Sequence, residues 1–345
     1  MTHLTQFFFE MRIVNILLAF VGLAFLKDVV DAKSNYKIWT IGSTQDAKFD
    51  NSLPGVLLIG GGKDPLTGFS WQIKNCQGGD YVVLRASGDD AYNEWIMALS
   101  RGDGHPLNSV STILFNNKDA SADEEVLTMI SNAECIFFAG GDQSQYIDYW
   151  VGTQVQSIIQ AKLDKVTVGG TSAGLAILGN WIYQAKYGSA NSTYALENPY
   201  YVGLEAVNFV PAFLDIPFMK QILTDTHFVT RDRMGRMLTF VAREMQDFGA
   251  TNIRGLGIDE NTYLALNVTT GVVTAGGSGT AYLCTPSHPA EVCVDRTPLT
   301  FKDIECIRFD GRRQDVFSFA TWSGAGDRYT SSVVNGEFAF PPYGN

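Results

Sequence analysis

Residues Val166–Gly174 read V-T-V-G-G-T-S-A-G, a short β-branched run that breaks into the pattern G-x-S-x-G at Gly170–Gly174. The helix-compatible residues Leu175–Leu178 follow directly. A strand that turns sharply into a helix exposes the serine at the centre of the turn, and the flanking glycines leave room for the turn. Because the chain holds 34 glycines, such a pentapeptide also arises by chance. The stretch predicts a strand–turn–helix unit with Ser172 as a candidate nucleophile.

Short apolar runs alternate with helical patterns around this stretch. Strands are predicted at Lys37–Ile41, Gly55–Ile59, Tyr81–Ala86, Val110–Phe115, Cys135–Ala139 and Lys165–Val168. Helices are predicted at Ala91–Ser100, Asp123–Asn132, Thr153–Leu163 and Ala173–Leu178. Continuously apolar strands separated by helices indicate a parallel sheet that is covered on both faces. The sequence therefore predicts an α/β fold with a doubly wound, mostly parallel sheet.

The pattern changes near residue 252, where short strands are joined by glycine-rich turns without long helices. These strands are predicted at Gly255–Ile258, Thr262–Leu266, Val272–Ala275, Ala281–Leu283 and Val316–Phe319. Short runs of this kind are typical of antiparallel strands. We expect an α/β domain over residues 33–285 and a β-rich extension over 286–345, packed on the same domain.

The N-terminal segment contains an apolar run from Ile13 to Leu26, and Val30 and Ala32 place small residues at positions −3 and −1 of a signal-peptidase site. The alternative is a membrane anchor, but the run is shorter than the roughly 20 residues that span a bilayer. We expect residues 1–32 to be a cleaved signal peptide of a secreted protein without a stable membrane anchor. Met11 is an alternative start.

Composition excludes several classes of partner. The formal net charge is −11, which argues against nucleic acid or anionic membranes as partners. Neither G-x-G-x-x-G nor G-x-x-x-x-G-K-[ST] occurs, so a phosphate-binding loop is not indicated. No C-x-x-C or H-E-x-x-H spacing occurs, and we expect neither a metal site nor a cofactor.

Five cysteines and two N-x-[ST] sequons bear on the compartment. Cys284 and Cys293 flank a turn-rich loop that a disulfide could close in an oxidising compartment. Cys135 lies in an apolar run typical of a buried free thiol. The sequons make Asn191 and Asn267 candidate glycosylation sites.

A serine nucleophile needs a base, and the chain has four histidines. His3 falls within the predicted signal peptide, His105 within an exposed loop and His288 within the proposed cysteine loop. His227 precedes a helix-like run that starts with several arginines, and elimination leaves it as the best candidate base.

Charged residues near His227 and near residue 260 complete the candidate site. At helical spacing Arg233 and Arg236 share a helix face, and Arg231 is displaced from it. The three arginines have two alternative interpretations. They either form a solvated helix face paired with Asp232 and Glu244, or they bind substrate carboxylates. Asp259 and Glu260 follow a predicted strand, and either could orient an imidazole.

Two backbone segments are candidates for an oxyanion site. Gly140-Gly141-Asp142 follows a predicted strand and either forms a tight turn or exposes N–H groups to a developing oxyanion. The N–H of Ala173 is the second candidate donor.

Taken together, these motifs resemble the cyanophycinase-type serine peptidases and the related aspartyl dipeptidase peptidase E. The resemblance runs from about Gly55 to Leu283 and becomes weaker beyond. It depends on four ordered motifs: Gly140–Gln143, Gly170–Gly174, Asp225–Phe228 with Arg231, Arg233 and Arg236, and Gly257–Thr262. The order serine, histidine, acid differs from that of α/β-hydrolases, in which the acid comes second.

The resemblance implies a three-layer α/β/α fold of the class I glutamine amidotransferase type, with Ser172 as nucleophile, His227 as base and Glu260 as the orienting acid. It implies oxyanion donors at Gly141 and Ala173. The implied substrate contacts are Gln143, Asp225, Arg231, Arg233 and Arg236.

Cyanophycinases release β-Asp-Arg dipeptides from a polyaspartate that carries arginine on each β-carboxyl, so the resemblance implies a substrate rich in Asp or β-Asp-Arg. It also implies a homodimer, for which the hydrophobic pattern gives no independent indication. Family members usually have glutamine directly before the histidine, whereas this chain has Thr226. The alternatives are an α-aspartyl dipeptidase of the peptidase E type and a catalytically silent binding protein on the same fold.

Overall fold

The computed structural model describes residues 34–47, 52–201 and 209–344. The predicted signal peptide, residues 1–32, lies outside the described residues. The described residues from Tyr36 onward group into one compact unit. Within these ranges, the helices are all too short or too polar to cross a membrane.

Five parallel strands form the centre of the larger sheet, in the spatial order β4, β3, β5, β6, β2. Their bounds are β2 Gly55–Ile59, β3 Asp80–Arg85, β4 Ser109–Phe115, β5 Cys135–Phe138 and β6 Thr167–Thr171. Every residue of β2, β5 and β6 is buried. Such continuous burial requires cover on both faces, which is why these strands read as unbroken apolar runs.

Helices cover the two faces of this sheet, and the last two of the described helices pack against a second sheet. The helices are α1 Leu66–Asn75, α2 Ala91–Gly102, α3 Glu124–Asn132, α4 Gln143–Trp150, α5 Gln154–Gln160, α6 Ala173–Ala176, α7 Ser192–Glu197 and α8 Met234–Phe248, with a 3-10 turn at Lys118–Ala122. Successive strand side chains point to opposite faces. Leu57 accordingly packs in the core that includes α1 and α2, and its neighbour Leu58 packs in the core that includes α3, α4 and α5.

Antiparallel strands extend the larger sheet at both edges. β1 Tyr36–Gly42 pairs with β4, and β11 Thr262–Leu266, β12 Val272–Gly277, β15 Val316–Ser318 and β16 Ser323–Gly324 continue outward from β2.

A second sheet has the order β18-β17-β14-β13-β10-β9-β7-β8. Its strands are β7 Trp181–Tyr183, β8 Phe209–Pro211, β9 Ile222–Asp225, β10 Arg254–Ile258, β13 Thr280–Thr285, β14 Phe301–Asp310, β17 Asp327–Val334 and β18 Glu337–Phe338. It is mostly antiparallel, with β9 parallel to both β7 and β10.

The predicted α/β class with a mostly parallel central sheet is confirmed. The β-rich residues of the C-terminal portion do not form a sheet of their own, because β15 and β16 join the larger sheet and β14, β17 and β18 join the second. Helix α1 was not predicted, although Phe69 and Ile73 are four residues apart and both are fully buried.

The predicted Cys284–Cys293 disulfide is wrong. Cys284 and Cys306 are directly paired across the antiparallel strands β13 and β14, with Cα atoms 4.1 Å apart, and their sulfurs are bonded. Cross-strand pairing brings two side chains within bonding distance, a contact that loop spacing does not reveal. Cys293 is buried with a free thiol. Cys135, predicted to be a free thiol, is bonded to Cys76, with Cα atoms 5.5 Å apart.

Glu244 on α8 is fully buried, and in the described ranges neither of its carboxylate oxygens has a hydrogen-bond partner. Burial raises the pKa of this carboxyl to about 8, compared with about 4.3 in an unfolded chain. A carboxyl with a higher pKa in the folded state stabilises the fold fully below its unfolded pKa, and that contribution is lost as the pH rises through the folded pKa. We expect the fold to lose stability between about pH 4.5 and 8.

Replacing Glu244 with glutamine should remove this loss, because the amide does not ionise. The expected gain in the free energy of unfolding at pH 8.5 is on the order of a few kcal/mol, with little change at pH 4.5. Urea unfolding of wild type and Glu244→Gln at both pH values measures it. Glu94→Gln, at an exposed position of α2, is the matched control, and the prediction is wrong if both variants keep the wild-type pH dependence.

Candidate active site

Ser172 lies at the turn between β6 and α6, so the predicted strand–turn–helix unit is confirmed. Its φ of +52° and ψ of −115° are a strained conformation for a residue with a side chain, as expected for a nucleophile elbow. Close backbone packing in the turn explains why the motif has glycine at position 170. A β-carbon at Gly170 would collide with the carbonyl oxygen of Gly174, so the turn closes only when position 170 lacks a side chain.

A chain of hydrogen bonds joins Ser172, His227 and Glu260. The Oγ atom of Ser172 is 2.7 Å from Nε2 of His227, and Nδ1 of His227 is 2.5 Å from Oε1 of Glu260. Because a carboxylate only accepts, Nδ1 carries the proton and Nε2 is left to accept from the serine hydroxyl. His227 follows β9, and Glu260 lies between β10 and β11. The tertiary structure therefore brings together three residues that are 55 and 33 positions apart.

Of the two candidate acids, only Glu260 contacts the imidazole. Asp259 instead accepts hydrogen bonds from the backbone N–H groups of Val229 and Thr230, at 3.0 and 2.9 Å. It thereby holds the turn that follows His227. The other candidate bases are elsewhere: His105 is exposed, and Nδ1 of His288 lies 2.8 Å from the carbonyl oxygen of its neighbour Pro289.

The glycine run at Gly60–Gly62 braces the imidazole and the acid, a role that the sequence did not reveal. The carbonyl of Gly60 accepts from the N–H of His227 at 2.8 Å, and that of Gly61 accepts from the N–H of Asn261 at 2.9 Å. Gly61 has φ +106°, and a β-carbon there would collide with the His227 ring. The sequence feature that could have indicated this role is the glycine cluster at the end of a predicted strand.

Burial lowers the pKa of His227, and the positive charges of Arg231 and Arg233 lower it further, against the raising effect of Glu260. Arg231 has a side chain that is 53% exposed, and its Nε lies 3.8 Å from Oε1 of Glu260. The imidazole therefore stays neutral, and able to accept a proton, below its ordinary pKa of about 6.5.

We expect the acid limb of the kcat/KM profile to lie below pH 6.5, because this limb reports the free base. Arg231→Gln should move the limb upward, since it removes a cation that disfavours the imidazolium. Hydrolysis rates measured from pH 4 to 9 for wild type, Arg231→Gln and the remote exposed control Arg296→Gln test this. An unshifted limb in Arg231→Gln would contradict it.

Asp225, Arg233 and Arg236 form a buried cluster beside His227. Arg236 forms a bidentate pair with Asp225, its Nε 2.8 Å from Oδ2 and its Nη2 bonded to Oδ1. Nη1 of Arg233 lies 3.7 Å from the same Oδ1. The side chains of Arg236 and Asp225 are only 3% and 4% exposed, so the alternative of a solvated face paired with Asp232 and Glu244 is wrong. Arg231 stands apart, against Glu260.

Two residues that the sequence did not mark as arginine ligands support this cluster. Thr226 accepts from Nη1 of Arg233 through both its carbonyl and its hydroxyl oxygen, each at 3.0 Å. Ser189 accepts from Arg236 at 2.9 Å and from Arg233 at 3.5 Å. Two buried cations share one carboxylate, which leaves one positive charge unbalanced. Burial and the neighbouring arginines lower the pKa of Arg233 to about 10, so this charge persists at neutral pH.

The candidate oxyanion segment lies against the elbow. A β-carbon added at Gly140 would lie 3.6 Å from the β-carbon of Ser172. The Tyr146 hydroxyl fixes the turn by donating to the carbonyls of Ala139 and Gly140 at 2.9 and 3.0 Å. Ala173 is the first residue of α6, so its N–H has no intrahelical acceptor.

Gln143 begins α4 and its amide donates to the carbonyl of Tyr183 at 3.4 Å.

The ring of Tyr183 lies 5.5 Å from the guanidinium of Arg236, so Gln143 reaches the wall of the arginine cluster. The candidate glycosylation sites Asn191 and Asn267 are both exposed, and each caps a turn with its side-chain oxygen. Asn191 directly follows Ala190, whose carbonyl accepts from Arg236 at 3.2 Å. In the described ranges, no group of three or more His, Cys, Asp or Glu side chains could hold a metal ion.

Comparison with known proteins matches residues 95–276, more than half of the chain, to the model of peptidase family S51. A cyanophycinase from Geminocystis herdmanii is 23% identical over 214 residues, which cover 60% of this chain and 72% of the relative. A cyanophycinase from Thermosynechococcus vestitus is 26% identical over 247 residues, which cover 67% of this chain and 68% of the relative.

Two solved structures are also similar. A peptidase from an acI-B1 Actinobacterium has a TM-score of 0.49 at 14% identity, covering 68% of this chain and 91% of that chain. A putative peptidase E protein from Listeria monocytogenes EGD-e has a TM-score of 0.42 at 14% identity, covering 65% of this chain and 98% of that chain.

The fold and the family match define a serine-type peptidase. The chain belongs to peptidase family S51 and is cyanophycinase-like within it.

Proposed function

We propose that this chain hydrolyses aspartyl or β-aspartyl peptide bonds through a Ser172–His227–Glu260 triad. The observation that carries the proposal is the continuous hydrogen-bond chain Ser172 Oγ–His227 Nε2 and His227 Nδ1–Glu260 Oε1, at 2.7 and 2.5 Å. Three groups in this order are what an acyl-transfer mechanism requires of a serine.

The proposed reaction has two halves. Ser172 Oγ attacks the scissile carbonyl carbon, its proton passes to His227 Nε2, and the N–H groups of Gly141 and Ala173 receive the developing oxyanion. The C–N bond then breaks, and Nε2 returns the proton to the leaving amine. Water attacks the acyl-enzyme with His227 as base, and Ser172 regains its proton. Glu260 stays ionised and holds the imidazole.

An acidic group of the substrate fits the arginine cluster. The unbalanced charge of Arg233 and Arg236 over Asp225 favours a carboxylate, and guanidinium groups bind carboxylates through paired hydrogen bonds. Arg231 is a further exposed cation beside the triad, and the amide of Gln143 borders the cluster. These contacts support an aspartyl side chain or main-chain carboxylate next to the scissile bond.

Incubation of the protein with α-linked and β-linked aspartyl dipeptides and with cyanophycin, followed by mass spectrometry of the products, tests this function. Release of β-Asp-Arg would support a cyanophycinase activity, and preferential turnover of Asp-Leu would support the α-aspartyl dipeptidase instead. No hydrolysis of any aspartyl substrate would overturn the proposed function and favour a silent binding protein.

Secretion is part of the proposal. The N-terminal apolar run, two disulfides and two exposed sequons are consistent with an oxidising compartment. N-terminal sequencing of the mature protein should start near Lys33. A mature chain that retains residues 13–26 would contradict cleavage.

A further inference from the structure

A pocket of 410 Å³ opens between the loop that follows β2 and the start of α2. Six residues line it: Lys63, Asp64, Leu66, Ala91, Tyr92 and Trp95. None of them belongs to the arginine cluster, and none is among the proposed triad or oxyanion groups. Its volume lies within the range of small-molecule sites.

Hydrogen bonds tie this pocket to the nucleophile elbow. Oδ1 of Asp64 accepts from the Thr171 hydroxyl at 2.8 Å, and Thr171 directly precedes Ser172. Oδ2 of Asp64 accepts from the Tyr92 hydroxyl at 2.6 Å. The same loop carries Gly61, which lies against the His227 ring. The pocket wall is therefore hydrogen-bonded to the residue that precedes Ser172, and its loop also contacts the imidazole.

The position of the pocket indicates which part of a substrate meets it, and this step rests on the proposed function. His227 returns a proton to the leaving amine, so the residue that carries this amine lies on the imidazole side. The acidic part of the substrate meets Arg233 and Arg236, which a different part of the chain supplies. The pocket shares no residue with the arginine cluster and adjoins the elbow, so it is the candidate site for the leaving residue.

Aliphatic and aromatic side chains form most of the pocket wall, and contacts between rings hold the aromatic ones in place. The Phe69 ring lies 4.7 Å from Trp95 and 5.9 Å from Tyr92, and Tyr92 lies 5.6 Å from Phe137. Leu66 is 53% exposed. Both carboxylate oxygens of Asp64 already accept hydrogen bonds, burial raises the pKa of its carboxyl, and Lys63 is an exposed cation. These features favour an apolar side chain over a cationic one.

We propose that this pocket is a subsite for the side chain of the leaving residue, and that it favours large apolar side chains such as phenylalanine and leucine over arginine. Leu66 and Trp95 are its specificity-determining residues. Filling an apolar pocket of this kind distinguishes side chains by about 10- to 200-fold. The subsite would direct this chain towards aspartyl peptides with apolar neighbours.

The test measures kcat/KM for Asp-X and β-Asp-X dipeptides with X as alanine, phenylalanine or arginine. We expect phenylalanine to exceed both others by about 10-fold or more in at least one linkage. Leu66→Ala should reduce the phenylalanine value by about 5-fold or more and change the alanine value by less than about 2-fold.

Leu53→Ala is the matched control, because Leu53 is 50% exposed and lies at the opposite end of β2. It should leave the profile unchanged. Leu66 is exposed, so its replacement should not disturb folding, which thermal unfolding of both variants checks. Three results would overturn the subsite and leave the proposed function intact. They are equal kcat/KM values for the three dipeptides, a preference for the arginine dipeptide, or an equal loss of kcat/KM for all three dipeptides in Leu66→Ala. No hydrolysis of any dipeptide would overturn both.

Discussion

Replacing Ser172 with alanine is expected to lower kcat by about 10³-fold or more on any substrate that the wild type hydrolyses. The reason is that no other hydroxyl occupies the turn 2.7 Å from His227 Nε2 within the described ranges. Folding should be nearly unchanged, because the alanine keeps the backbone of the turn. Initial rates with the best aspartyl substrate, together with thermal unfolding, measure both effects.

Ser157→Ala, at an exposed position of α5, is the control and should retain full activity. A fluorophosphonate probe provides a readout that does not depend on the substrate: the wild type should be labelled at Ser172 and Ser172→Ala should not. Equal turnover by Ser172→Ala and wild type would contradict the assignment. Absence of labelling in the wild type would favour the catalytically silent protein.

Replacing Glu260 with glutamine is expected to lower kcat by about 10³- to 10⁴-fold. The amide keeps the size of the side chain but can donate to Nδ1, which favours the tautomer that carries its proton on Nε2. In that tautomer the ring no longer accepts the Ser172 proton. The loss should appear mainly in kcat, because Glu260 contacts the imidazole rather than the arginine cluster.

Asp259→Asn is a matched control at the adjacent position. Asp259 holds backbone N–H groups through Oδ1, and an asparagine oxygen can still accept from them. We expect a loss of less than about 10-fold. If Asp259→Asn lost more activity than Glu260→Gln, the orienting role would belong to Asp259.

Local patterns were enough to predict the core of the fold. The apolar runs at β2, β5 and β6 are continuous because helices bury both faces, so the parallel sheet is evident from the residues themselves. The elbow around Ser172 is equally local, since strand, glycines and helix lie within nine residues of one another.

Contacts between distant segments were not available from such patterns. Cys284 bonds Cys306 rather than Cys293 because strand pairing, not loop length, sets the distance. The second sheet was not predicted either, since β10 pairs with β13 across the intervening β11 and β12, which belong to the larger sheet.

The sequence by itself determined the parallel α/β core, the elbow and the types of side chain that could complete a site, because these follow from local spacing and from the motifs that the chain carries. Only the tertiary structure shows that Glu260 rather than Asp259 contacts the imidazole, that Gly60–Gly62 brace the ring and that Arg233 and Arg236 are buried against Asp225. Each of these contacts depends on distances between strands that are remote in sequence, and those distances exist only once both sheets have formed.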